Sequence, residues 1–167
     1  MTTPIDPLFS PDAPVPPQSD LVNHANDAWQ IALPKRWRVV PSDRDNTVTF
    51  QSDADDAALM INVDFYDIPP DKARSTAERL INARLATLEQ QDPGQVDMFD
   101  SGVQPHRQGQ GLEMYYAAHV AKRDVVMYFV YILPQRVMNL TLVSKKSRNE
   151  AMALLRAVHS HFRPKLA

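Results

Sequence analysis

From Val125 to Leu133 every position is apolar, VVMYFVYIL, and most of these residues favour strands. A strand without polar alternation is one covered on both faces, so it belongs in the middle of a sheet. Pro134-Gln135 then makes a tight turn. Val137, Met138, Leu140, Leu142 and Val143 carry the apolar content back, so Asp124–Lys145 reads as a central hairpin. Elsewhere the pattern alternates. Trp29, Ile31 and Leu33 alternate with Gln30 and Ala32 and stop at Pro34, which gives a half-buried strand. Trp37 and Val39, then Val48–Phe50, continue as short strands around the polar loop 42–46. Leu59, Ile61, Val63 and Phe65 alternate with Met60, Asn62, Asp64 and Tyr66, so one face is core and the other polar. An antiparallel meander therefore opens the domain. Val96–Val103 is a weaker strand, and Leu112, Met114, Tyr116, Ala118 and Val120 alternate with Glu113, Tyr115, Ala117 and His119.

Two stretches have helical spacing instead. Ala77, Leu80, Ile81, Leu85 and Leu88 form one apolar stripe, with Arg79, Arg84 and Glu89 on the wet side and Asp92-Pro93-Gly94 as the stop. Ser75 and Glu78 have capping-box spacing, and Pro69-Pro70 offers an earlier start. The second helix begins at the capping box Ser147/Glu150. It buries Ala151, Leu154, Leu155, Val158 and Phe162 and ends at Pro164. Grouped strands, short turns and separate helices predict an α+β fold, a mainly antiparallel meander sheet packed with two helices.

Residues 1–27 show no such period. Pro4, Pro7, Pro11, Pro14, Pro16 and Pro17 fix φ and remove donors, which predicts an extended, partly polyproline II tail ahead of a single domain over 28–167. The spacings Pro4…Pro7, Pro11…Pro14 and Pro14…Pro17 match PxxP ligands of aromatic grooves. A solvated leader, or a strap lying on its own domain, accounts for them more simply.

Composition narrows the function classes. The 167 residues are 44% apolar and 23% charged, as in a soluble globular protein, with a net charge of −2. That charge offers no field to gather nucleic acid, and the longest basic run is Lys145-Lys146. The absence of cysteine removes disulfides, thiolate metal sites and thiol nucleophiles. The longest apolar run falls well short of the roughly 20 residues of a membrane-spanning helix, so no membrane insertion is expected. MTTPIDPLFSPDAP has neither the basic nor the apolar region of a secretory signal, and a cytoplasmic protein is the expectation.

Trp29-Gln30-Ile31-Ala32-Leu33-Pro34-Lys35-Arg36-Trp37, followed by the Thr-Val-x-Phe strand at 47–50, resembles the start of PsbP-like and DcrB-like domains. The later order of helix, long antiparallel meander and terminal helix is similar as well, over about residues 28–163. The resemblance implies an antiparallel sheet between helices and, for most members, a binding role. Members include a photosystem accessory subunit, a Ran-binding import factor, bacterial envelope lipoproteins and Eag-type chaperones of type VI secretion effectors. The lipoprotein branch requires a cysteine that is missing here, and the chaperone branch suits a cytoplasmic bacterial protein. The proline-rich leader lies outside the resemblance.

Candidate chemistry is sparse. Asp53, Asp55 and Asp56 lack the Gly and bidentate Glu of an EF-hand loop and read as an acidic solvated turn. His159 and His161, about 200° apart around a helix, cannot share a ligand face, and the helix dipole accounts for both. His119, Glu113 and Tyr115 share one strand face and would suit acid–base work only if they converged with a partner such as Asp64. Cross-strand polar pairing is the plainer account. No cofactor or metal is expected. The remaining signal is an excess of Met and Tyr on strands. It has two explanations: core beneath the helices, or an uncovered face that binds apolar segments. On the second, Met114, Tyr115, Tyr128, Tyr131 and Met138 would receive a partner polypeptide. The expectation is thus a non-enzymatic binding or adaptor protein, a homodimer or a secretion-associated chaperone being particular forms of it. A small-ligand or lipid carrier with an apolar pocket is the alternative. An enzyme on the His119 face is the third.

Overall fold

The computed structural model describes residues 20–65, 67–105 and 111–165. The strands are β1 (Leu21–Ala25), β2 (Trp29–Pro34), β3 (Arg38–Val40), β4 (Thr47–Ser52), β5 (Ala57–Asp64), β6 (Val96–Pro105), β7 (Leu112–Val120), β8 (Asp124–Leu133), β9 (Arg136–Ser144) and β10 (Phe162–Pro164). The helices are α1 (Ala73–Gln91), entered through a single 3₁₀ turn, and α2 (Arg148–His161). Seven strands form one antiparallel sheet in the order β3-β4-β5-β9-β8-β7-β6, and β1-β2-β10 form a second of three. The expected α+β class is what is found.

β8 and β9 occupy the middle of the large sheet, as the unbroken apolar run requires. Leu133 pairs with Arg136 across the two-residue Pro134-Gln135 turn, and every β8 residue after Asp124 is buried. Between β7 and β8, Ala121 and Lys122 both take φ near +50°, a left-handed pair that turns the chain within three residues. Gly111, at φ +105°, leads into β7 against the Ile132 carbonyl. A Cβ there would stand 2.2 Å from that oxygen, so only glycine fits.

The large sheet separates two cores. On one side Trp29, Ile31, Leu33 and Phe162 of the small sheet, with Ala151, Leu155 and Val158 of α2, pack on Leu59, Met127, Phe129, Tyr131 and Leu140. On the other, Ala77 and Ile81 of α1, with Leu80, Leu85 and Leu88 beside them, pack on Met114, Tyr116, Tyr128 and Val130. Ser147 caps α2, its Oγ accepting from Glu150 N–H at 3.2 Å.

Four expectations are corrected. The segment read as tail to residue 27 contains β1, which pairs with β2 from Leu21↔Pro34 to Ala25↔Gln30. Backbone pairing, not side-chain period, forms it. β2 leaves the opening meander for the small sheet. α2 stops at His161 because Phe162–Pro164 pairs with β2 at Phe162↔Ile31. α1 takes its earlier start, and Ser75 Oγ donates to Lys72 O at 3.1 Å instead of capping.

Candidate functional site

Because paired residues share a face, the register places a row Val40–Thr49–Met60–Thr141–Tyr128–Tyr116 across the α1 side of the large sheet. Parallel rows run Gln51–Ala58–Val143–Val126 and Thr47–Asn62–Asn139–Val130. α1 packs chiefly on β7 and β8, so it seals Tyr116 and Tyr128 and stops short of β9, β5 and β4. There Thr49, Ala58, Asn62, Thr141 and Val143 are half-buried. Met60, in the centre, is 38% exposed.

A polar ladder closes one end of this open half. The Tyr128 hydroxyl donates to Asn139 Oδ1. Asn139 Nδ2 reaches Asn62 Oδ1 at 3.3 Å and Asp64 Oδ2 at 3.4 Å, and Asn62 Nδ2 donates to Thr47 Oγ1 at 3.0 Å. The Arg84 guanidinium of α1 lies over the Tyr128 ring, 5.2 Å from its centre. The ladder links side chains of four strands.

The five residues expected to receive a partner lie in the core. Met114, Tyr115, Tyr128, Tyr131 and Met138 are all buried. Tyr115, Tyr131 and Met138 point into the layer under α2 and the small sheet, while Met114 and Tyr128 point under α1. Met114 and Tyr115 also border a groove of about 350 Å³ between α1 and the edge strand β6. The large exposed apolar side chains fall elsewhere, at Val22, Val39, Met60, Phe65 and Met98.

The His119 face does not converge. Six residues of strand put His119 about 20 Å from Glu113. His119 Nδ1 instead accepts from Arg148 Nε at 3.3 Å, and Arg148 also binds Asp97 at 2.6 Å. A different histidine meets Glu113: His159 Nε2 lies 3.3 Å from its carboxylate, to which Gln104 Nε2 donates at 2.7 Å. With Glu113 at 0% and His159 at 5% exposure, and with Phe129 and Tyr131 stacked on the imidazole, the pair is buried among the described residues. Spacing along the chain gave no sign of it, since the two residues are 46 positions apart.

The acidic turn is a structural clamp. Burial pushes the Asp55 carboxyl up, but the Arg36 guanidinium and the Ser52 hydroxyl outweigh it and hold the group below its ordinary value. Among the described residues no three His, Asp or Glu side chains gather as for a metal ion, and no helix is long and apolar enough to cross a membrane. An apolar cavity of about 550 Å³ opens at the far end of the sheet, lined by Ile68, Ala73, Leu112, Ile132 and Leu133 with Arg74 at its edge.

No protein-family model matches the chain, and no curated protein does. Among solved structures, the solution structure of cyanobacterial PsbP (CyanoP) from Synechocystis sp. PCC 6803 is similar over 87% of this chain and 93% of that one. Its TM-score is 0.64 and its identity 14%. A crystal structure from Bacteroides thetaiotaomicron covers 83% of this chain and 45% of its own length, at 8% identity and a TM-score of 0.42. The first similarity shows the fold: it is PsbP-like.

Proposed function

We propose that this protein is a non-enzymatic binding module that receives a partner polypeptide on the open half of its sheet, between α1 and β4. The observation that carries this reading is the exposed Met60, set amid Thr49, Thr141, Ala58 and Val143 on strands whose backbone groups are already paired. Methionine and small β-branched residues make an adaptable contact surface, and the ladder beside them holds its side chains in place. The site is thus moved one to three strands away from Met114, Tyr128 and Tyr131. A secretion-associated chaperone, as in the Eag-type branch, is the more specific form of the proposal. Met60→Arg with Thr141→Arg tests it: a tagged wild-type chain should retain a stoichiometric polypeptide that the variant loses. Equal retention by the two refutes the face.

The 550 Å³ cavity favours a second reading, a carrier of an apolar ligand, since its size and lining are those of a small-molecule site. Native mass spectrometry would show a bound mass that Leu112→Trp, by filling the cavity, removes.

A further inference from the structure

The cavity of about 550 Å³ at the far end of the sheet is the unfilled end of the layer under α1. Leu112 of β7, paired with Ile132 of β8, forms its floor. Ile68 closes one side, its N–H donating to the Pro134 carbonyl at 2.9 Å. Ile68 and Ile132 belong to the apolar cluster that holds Ala77 and Ile81, and Leu112 packs against it. A ligand seated here would therefore extend an existing core. The first turn of α1, at Ala73 and Arg74, forms the rim. Among the described residues that line the cavity, Arg74 is the single polar side chain and the single charge.

We propose that this cavity binds a small amphiphile whose apolar body fills the space and whose carboxylate head is held by the Arg74 guanidinium. The inference rests on the carrier reading above and names the class of its ligand. Arg74 Nε donates to Glu78 Oε1 at 3.1 Å. That bond orients the planar fork, and a guanidinium has five donors, enough to hold a carboxylate with two parallel bonds besides. Size bounds the body. At the roughly 30 Å³ that a water takes in the liquid, the volume accommodates about 18 heavy atoms. Charge sets the sign of the head. No acidic side chain lines the cavity among the described residues, so an ammonium head would meet Arg74 without a counter-charge.

Titration calorimetry of the full chain with decanoate, decanol and decylamine, each below its micelle concentration, tests the assignment. Decanoate should bind about tenfold more tightly than decanol, the ratio that a charge-assisted hydrogen bond supplies. Arg74→Gln should bring the two to equal affinity, and Arg74→Glu should turn the preference to decylamine. Both changes fall at an exposed helix position, where a substitution costs little stability. Leu112→Trp, its fold checked by near-ultraviolet circular dichroism, should abolish decanoate binding. Equal affinity of the wild-type chain for decanoate and decanol overturns the role of Arg74 and leaves the apolar carrier standing. A decanoate preference that survives Arg74→Gln overturns it too, because the head then sits elsewhere. If none of the three binds, or if binding persists in the folded Leu112→Trp chain, the carrier reading falls as well.

Discussion

The two faces of the large sheet are built from the same strands and are finished differently. Towards α2 the small sheet and the helix together cover Leu59, Phe129, Tyr131 and Leu140, and even the ionisable pair Glu113–His159 is enclosed. Towards α1 one helix must cover seven strands, each about 4.8 Å from the next, and with a diameter near 10 Å it reaches two or three of them. The remainder is finished with threonine, asparagine, alanine, valine and one methionine. Burial of apolar area therefore concentrates on one side, while the other keeps a surface whose side chains cost little to leave wet. A fold with one sealed and one half-open face can lose side chains from the open half without unfolding. That freedom is what a binding surface needs.

The comparison is broken most directly on the sealed side. Phe129 is stacked on Tyr115, Tyr131 and His159. Phe129→Ala should lower the unfolding free energy by about 3–5 kcal/mol, measured by urea titration. A loss below about 1 kcal/mol would mean that this layer is not the principal core. Under α1 the effect should be smaller and tied to pH. Burial, slightly offset by Arg84, pushes the Tyr116 phenol up to about 12, against about 10 in an unfolded chain. The raised value means that folding favours the protonated phenol. This contribution is complete below pH 10 and is lost as pH rises towards 12, about 3 kcal/mol in all. Tyr116→Phe should reduce the loss of stability along the alkaline limb by that amount. An unchanged limb would show that Tyr116 is hydrated and α1 loosely seated.

What was legible in the sequence follows from the kind of force that shapes each element. The β8–β9 hairpin could be read because burial on two faces leaves no polar position in VVMYFVYIL, and the α1 stripe because its spacing survives in Ala77, Ile81 and their neighbours. The small sheet could not. β1 reads LVNHA and β10 reads FRP, segments held by backbone bonds to β2 that leave no period. Phe162 fits the helical spacing after Val158 equally well, and only Ile31 across the sheet decides for a strand. Missing that sheet is what made the Met and Tyr content look like excess. With three more strands as cover, Tyr115, Tyr131 and Met138 have a core to fill. Met60 did fall on the polar side of the alternation, yet which half of that side α1 covers depends on the helix axis, a tertiary property absent from any local pattern.

The smallest expected effect sharpens the contrast furthest, because it compares neighbours in the chain. Leu59 is 0% exposed on the sealed face, and Met60, next along β5, is 38% exposed on the other. Met60→Ala removes a side chain that is only partly covered, so its unfolding free energy should stay within about 1 kcal/mol of wild type. Leu59→Ala, by opening a cavity, should cost about 2–5 kcal/mol. The pair is measured in one set of denaturation curves, and equal slopes would confirm that both variants unfold from the same compact state. Should Met60→Ala cost 2 kcal/mol or more, something in the full chain already covers the open face. The element that covers it would then be α1, reaching across to β5.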